Sequence, residues 1–293
     1  MFAVHQTAVP ATLARASAGR KIAIACLLAL GCSNAAWATP ILGAAQSFTV
    51  LGGSTVTNTG LTTVNGDVGV APGTALTGFG SATLLGTLHS DDAAATLAHG
   101  DALAANNYLA SLAFTRDLSG LDLGGMTLGA GIYRIASSAQ LTGTLVLDAQ
   151  NMANALFVFQ IGTTLTTATA AAVNVINGSA DTGVFFGVGT SAVLGAGSMF
   201  AGNIIANDSI TLSAAASLLC GRALALNGAV TLDTNRVSND CSAGGALGTT
   251  SLDYGSEGFA GIAAGQDLPE PASALLLPLG LAALAYGRRR RGA

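Results

Sequence analysis

Charge is scarce in this chain of 293 residues: Asp, Glu, Lys and Arg together fill 9% of positions, where a quarter or so is usual. Lysine occurs once, as Lys21, and glutamate twice, as Glu257 and Glu270. Aromatics make up 5%, with one Trp, and there are only three His and four Cys. Each shortage removes a class of function. A chain that is 51% apolar and poor in charge is the opposite of a disordered one. With 11 Lys+Arg against 15 Asp+Glu, no basic surface is available for nucleic acid. Past residue 38 the only histidines are His89 and His99, with no H-E-x-x-H, C-x-x-C or i,i+4 His pair, so no metal site is expected. There is no G-x-S-x-G elbow, and Gly124-Gly125-Met126 does not continue into a calcium-binding repeat. Asp67, Asp148, Asp181, Asp208 and Asp233 are scattered singly, at positions suited to turns and caps. A polysaccharide hydrolase would have to bring Asp208 and Asp233 together from separate segments. No cofactor is implied, and the chain reads as a non-enzyme.

What is present begins at the two ends. Residues 1–38 hold Arg15, Arg20 and Lys21, then an apolar stretch from Ile22 to Gly31, then Ala36-Trp37-Ala38. Basic, apolar and small-x-small segments in that order make a secretory signal peptide. At the other end Leu268-Pro269-Glu270-Pro271 precedes an apolar run from Ala272 to Tyr286 and then Arg288, Arg289, Arg290 and Arg291. The run is short for a spanning helix, and the arginines would hold the tail on the cytoplasmic side. Pro-Glu-Pro, an apolar segment and an arginine cluster, in that order, resemble the PEP-CTERM sorting signal of Gram-negative bacteria. That resemblance implies a transient inner-membrane anchor, processing by an exosortase-type protease, and release to the cell surface or beyond.

Over residues 39–271 the basic residues are Arg116, Arg134, Arg222 and Arg236, and all 15 acids fall in this part of the chain, Glu270 within the Pro-Glu-Pro itself. Of the four cysteines, Cys220 and Cys241 remain after the signal peptide leaves, and in an exported chain an even pair reads as a disulfide. From Thr39 to Gly80 short alternating stretches such as Ser54-Thr55-Val56-Thr57-Asn58-Thr59 lie between Asn-Gly and Pro-Gly turn signals, predicting short strands. One helix is expected, about 24 residues long, with Ser90 as its cap, Asp91 and Asp92 in its first turn, and an apolar stripe of Ala93, Leu97, Gly100, Ala104, Tyr108 and Leu112. Residues 242–267 form a Gly/Ser/Thr spacer before the sorting signal at 268–293.

From Leu121 to about Val237 the sequence repeats. The stretch Ser191–Ala206 aligns with Ser209–Ala225, Val230-Thr231-Leu232-Asp233 begins another copy, and Thr164-Leu165-Thr166-Thr167 looks like an earlier one. Steps of 18 and 20 residues between copies suit one coil of a β-solenoid, in which each coil buries its neighbour's apolar face. Residues 39–241 are thus predicted as one mainly β domain, a solenoid with a long helix alongside. Small hydroxyl residues recur two or three apart, and in coils stacked about 4.7–4.9 Å apart they would make a regular grid of hydroxyls and methyls that can order water.

Several segments resemble the bacterial and fungal ice-binding-like family: Phe48–Gly60, Asn65–Phe79, Gln140–Gln150, Ala155–Thr167 and Gly221–Asp233. The resemblance implies a discontinuous right-handed β-helix of triangular section with the helix packed alongside, and ice or ordered water as the partner. Members that bind ice often carry T-A/G-x-T/N motifs. Thr74-Ala75-Leu76-Thr77 fits this pattern, Thr167-Ala168-Thr169-Ala170 keeps its first half, and Ala196–Met199 and Ala214–Ser217 have lost the threonines. The candidate ice-contacting residues are Thr74, Thr77, Thr142, Thr144, Thr167, Thr169, Ser198 and Ser217. An extracellular matrix or adhesive protein on the same scaffold is the alternative.

Overall fold

The computed structural model describes residues 41–152, 154–178 and 182–240. The segments read from sequence as signal peptide, spacer and sorting signal, together with Cys241, lie outside the described residues. Among the described residues no helix is long and apolar enough to cross a membrane.

The chain winds in three-strand coils. The first coil is β1 (Phe48–Gly52), β2 (Thr55–Thr59) and β3 (Thr63–Asn65); the second is β4 (Asp67–Val70), β5 (Ala75–Thr77) and β6 (Thr83–Leu85). After β7 (Leu88–Ser90) the chain leaves the coil as α1 (Ala93–Ser111) and re-enters through β8 (Arg116–Asp117) and β9 (Thr127–Leu128). Five coils follow: β10 (Gly131–Ile135), β11 (Ala139–Leu141), β12 (Thr144–Asp148); β13 (Leu156–Ile161), β14 (Leu165–Thr167), β15 (Ala172–Ile176); β16 (Gly183–Val188), β17 (Ala192–Leu194), β18 (Met199–Ala201). The last two are β19 (Asn203–Ala206), β20 (Ile210–Leu212), β21 (Ser217–Leu219) and β22 (Ala223–Ala225), β23 (Val230–Asp233), β24 (Arg236–Ser238).

All the strands pair in parallel, making three sheets, one on each side of a triangular solenoid. Sheet A runs β7-β4-β1-β22-β19-β16-β13-β10-β8, sheet B β11-β14-β17-β20-β23-β2-β5, and sheet C β6-β3-β24-β21-β18-β15-β12-β9. The winding is discontinuous: the first coil stacks on the last, with Leu51 beside Leu224, Val56 beside Val230 and Val64 beside Val237. The 18- and 20-residue steps of the sequence repeat are the register steps Ala192 to Ile210 and Ile210 to Val230. Thr164–Thr167 is the preceding copy, with Leu165 beside Ala192; its coil is longer because extra residues are spent at the corner between β15 and β16.

Strand residues alternate between core and surface, and most coils place an apolar-x-apolar triplet on sheet B. Leu165, Ala192, Leu194, Ile210, Leu212, Val230, Leu232 and Val56 all point inward and are buried. On sheet A the core-facing aromatics stack from coil to coil: the rings of Tyr133 and Phe159 lie 5.2 Å apart and those of Phe159 and Phe186 4.5 Å apart, the second pair within 5° of parallel. Such offset ring contacts add to the area they bury. Tight corners fix the cross-section. At Gly78, φ is +79°, and a Cβ would lie 1.8 Å from the Asn58 carbonyl oxygen, so only glycine fits there. The Asn58 amide donates to the carbonyls of Gly60 and Gly78 at the same corner, and Asn235 does likewise for Ser213 and Ala216.

The helix differs from expectation in its start and in its buried face. It spans 19 residues, and Asp92, whose carboxylate accepts from the Ala95 amide, is the cap. Ser90 does not cap, because Leu88-His89-Ser90 pairs with Val68-Gly69-Val70, and its hydroxyl donates to the Thr74 carbonyl. The buried stripe is Ala95, Ala98, Ala102, Ala105 and Leu109; Leu97 and Tyr108, placed on the stripe from sequence, face solvent. With alanine at so many positions several stripes have the same apolar content, and contact with the sheet selects one. The chosen alanines lie against Leu51, Val158, Phe185, Ile205 and Leu224 on the outer surface of sheet A, where small side chains allow close approach. The helix rises about 28 Å, most of the roughly 38 Å spanned by nine strands, and so carries the chain back along the stack.

Cys220 is buried and disulfide-bonded.

Candidate functional site

Three sheets give three outer surfaces, and two of them are unsuitable for a flat, uncharged contact. That of sheet A is covered by α1 and by the 3-10 turn Gly43–Ser47, whose Ala44 amide donates to Asp101 on the helix. Sheet C is chemically mixed: its register places Thr144, Ala172, Met199, Ser217, Arg236, Thr63 and Thr83 side by side. Arginine and methionine interrupt that row.

Sheet B is different. Reading the outward residue of each strand across the register gives Gln140, Thr166, Val193, Thr211, Thr231, Thr57 and Thr77. Five of the seven are threonines, one is threonine's isostere valine, and none is charged. At the strand spacing of about 4.7–4.9 Å they form one straight file across all seven strands. Within the file the Thr77 hydroxyl donates to that of Thr57 at 3.2 Å.

A second file lies two residues earlier in each coil: Ser138, Thr164, Ser191, Ser209, Ala229, Thr55 and Ala75. Here the hydroxyl oxygens of Ser191 and Ser209 accept from the Ser209 and Ala229 amides of the next coil at 3.3 and 3.1 Å, which fixes those side chains. Asp233, at the end of β23, marks the charged margin of the sheet beside Thr59.

Of the residues proposed from sequence, only Thr77 stands in the threonine file. Thr74 precedes β5 and is exposed. Thr142 sits at the turn from sheet B to sheet C, where its hydroxyl donates to the Asp122 carboxylate; that bond, followed by backbone bonds from Gly124 and Thr142, holds the Asp122 carboxyl below its ordinary range. Thr169 lies in the exposed turn after β14, and Thr144 and Ser217 begin strands of sheet C. Thr167 and Ser198 cannot contact a surface. They are 4% and 1% exposed, and the Thr167 oxygen accepts from the Gly195 amide inside the corner. The members of the file not proposed from sequence include Thr57, Thr166, Thr211 and Thr231. Each is the middle residue of a triplet whose flanking residues point inward, and that two-residue alternation was the signal for finding them.

Asp208 and Asp233 lie at opposite margins of sheet B, before β20 and at the end of β23, so they do not form a carboxylate pair. Among the described residues no group of three or more His, Cys, Asp or Glu could hold a metal ion. A groove of about 270 Å³ lies between the C-terminal half of α1 and sheet A, near Asn106, Arg134 and Gln160; the Gln160 amide is spent on the Leu109 and Leu112 carbonyls.

Comparison with known proteins points the same way as the geometry. A family described as ice-binding-like matches residues 50–238. A protein of Nostoc sp. (strain HG1) named ice-binding protein is 54% identical over 201 residues, covering 69% of this chain and 74% of that protein. The crystal structure of an ice-binding protein from an Antarctic biological consortium superposes with a TM-score of 0.65 at 41% identity, covering 68% of this chain and 91% of that one. That of an ice-binding protein from the Antarctic ascomycete Antarctomyces psychrotrophicus gives 0.64 at 40% identity, covering 67% and 96%.

Proposed function

This chain belongs to the ice-binding-like family, and from that membership we propose that it is an ice-binding protein that adsorbs to ice through the outer surface of sheet B. The observation that carries this reading is the file from Gln140 to Thr77: seven uncharged residues in register, five of them threonine. A threonine methyl restrains neighbouring water while its hydroxyl bonds to it, so a rigid row of them orders water at a fixed repeat. Ice presents water at repeating positions and liquid water does not, so a rigid grid favours the solid. Rigidity comes from the stacked coils below, and absence of charge matters because an ion holds its own hydration shell. The role is adsorption, with no catalytic step.

The route to that role is also proposed. Residues 1–38 support export, and Pro269-Glu270-Pro271 with the apolar run and Arg288–Arg291 support a temporary membrane anchor that an exosortase-type protease removes. Mass spectrometry of the exported protein tests both ends: it should begin at Thr39 and lack the arginine cluster.

Ice recrystallisation and thermal hysteresis of the purified protein test the central proposal. The wild type should suppress crystal growth, and Thr211→Tyr and Thr231→Tyr should each abolish most of that effect while melting normally. No suppression by the wild type at high concentration would sink the ice reading and favour a matrix or adhesive role on the same scaffold.

A further inference from the structure

The outer surface of sheet B carries one charge out of place. Each member of the file from Gln140 to Thr77 is flanked along its coil by the second file, two residues earlier, and by a third set of positions two residues later. The third set runs from Thr142 to Phe79 and includes Ser213, Asp233 and Thr59. Across all three, Asp233 is the single charged residue.

Its place in β23 puts it on the surface. Val230, Thr231, Leu232 and Asp233 are alternately buried and half-buried, so the Asp233 side chain stands on the side of Thr231, about 6.4–6.8 Å further along the strand. The register sets it beside Thr59, which is exposed. Exposed Thr234 donates to its Oδ1 at 3.1 Å, which keeps the carboxylate at the surface. The other charged and titratable groups near sheet B lie off this surface. Asp208 precedes β20 at the opposite margin, and Arg236 begins β24 on sheet C. Asp122 stands one step beyond Gln140, with its carboxylate turned to the Thr142 amide and hydroxyl. His89 and His99 belong to β7 and α1, on the side of sheet A.

In ice each water donates as many hydrogen bonds as it accepts. Threonine and serine hydroxyls also do both, whereas an ionised carboxylate only accepts. Every water around it therefore turns a hydrogen inward, an arrangement that the ice lattice does not contain, and removing that shell from a charge is costly. We infer that Asp233 limits how strongly sheet B adsorbs to ice. Ionised, it keeps a patch of unfrozen water beside Thr231 and Thr59; protonated, it lets the surface close against the crystal. This rests on the ice reading above and names the regulation of that same site.

Thermal hysteresis measured against pH, on the wild type and on Asp233→Asn, tests it. An amide of the same shape donates and accepts and keeps the acceptor for Thr234. At neutral pH the variant should exceed the wild type. As the pH falls the wild type should climb toward the variant, whose profile stays nearly level. The climb should coincide with protonation of Asp233, followed by NMR of its carboxyl carbon in the wild type, a comparison that needs no variant to fold. Asp117→Asn, which removes the same charge from sheet A, should leave hysteresis at the wild-type value. Circular dichroism at each pH confines the comparison to folded protein. The inference is overturned, with the ice reading intact, by a folded Asp233→Asn no more active than wild type or by an equal gain from Asp117→Asn. It is overturned in the same way by a wild-type hysteresis that stays level while Asp233 takes up its proton. Absence of hysteresis in every protein at every pH overturns both.

Discussion

The hydroxyl of Thr77 donates to the hydroxyl of Thr57, 3.2 Å away and 20 residues earlier in the chain. The two stand on adjacent coils of sheet B, and both point outward. Their contact shows how a one-dimensional spacing becomes a surface: one turn of the coil, here 20 residues, returns the same residue type to the same place one strand further on. Thr231 and Thr211 continue the line in the other direction.

Val193 is the break in that line, 38% exposed between Thr166 and Thr211. Val193→Thr keeps the shape and one methyl and adds the missing hydroxyl. It should raise thermal hysteresis above wild type, with a stability change within about 0.5 kcal/mol, as for most surface substitutions. Ice growth assays beside thermal melts would check both parts.

Thr167 should show the converse behaviour. Its oxygen accepts from the Gly195 amide in a buried corner, so Thr167→Val keeps the volume and leaves that donor unsatisfied. The expected cost is about 1–3 kcal/mol of stability, read from denaturant unfolding, with ice activity per folded molecule unchanged.

Acid should destabilise the fold through carboxylates that act as hydrogen-bond acceptors. Asp92 is held below 3.8 first by the Ala95 amide and then by His89; Asp122 first by the Thr142 hydroxyl; and Asp148 first by the Asn177 side chain. A lowered folded-state pKa contributes stability that is complete above 3.8 and lost as the pH falls through the folded value. Melting temperature should therefore fall as the pH drops below the ordinary carboxylate range. Asp92→Asn keeps a good cap without the titration and should make that fall shallower.

Phe186 stacks on Phe159 and tilts against Phe200 in the middle of the coil stack. Phe186→Ala should cost about 3–5 kcal/mol, measured by denaturant unfolding. The solenoid repeats only nearest-neighbour contacts, so amide exchange should rise most in the coils on either side.

The sequence alone determined the coil. Apolar-x-apolar triplets at steps of 18 and 20 residues state where each strand lies and which residue points outward, because alternation along a strand is a local property of the backbone. The Ala-rich stretch after Asp92 likewise specified a helix. The order of the coils was settled only in the tertiary structure. Thr57 stands beside Thr231 because the first coil docks on the last, and a stack of near-identical coils does not record in its sequence which ones touch. The buried face of α1 was decided in the same way, since its alanines are interchangeable until sheet A selects one row. Thr167 was misread for a related reason: a threonine at a corner turns inward or outward according to the amide of the next coil, here that of Gly195, which only the assembled stack brings within reach.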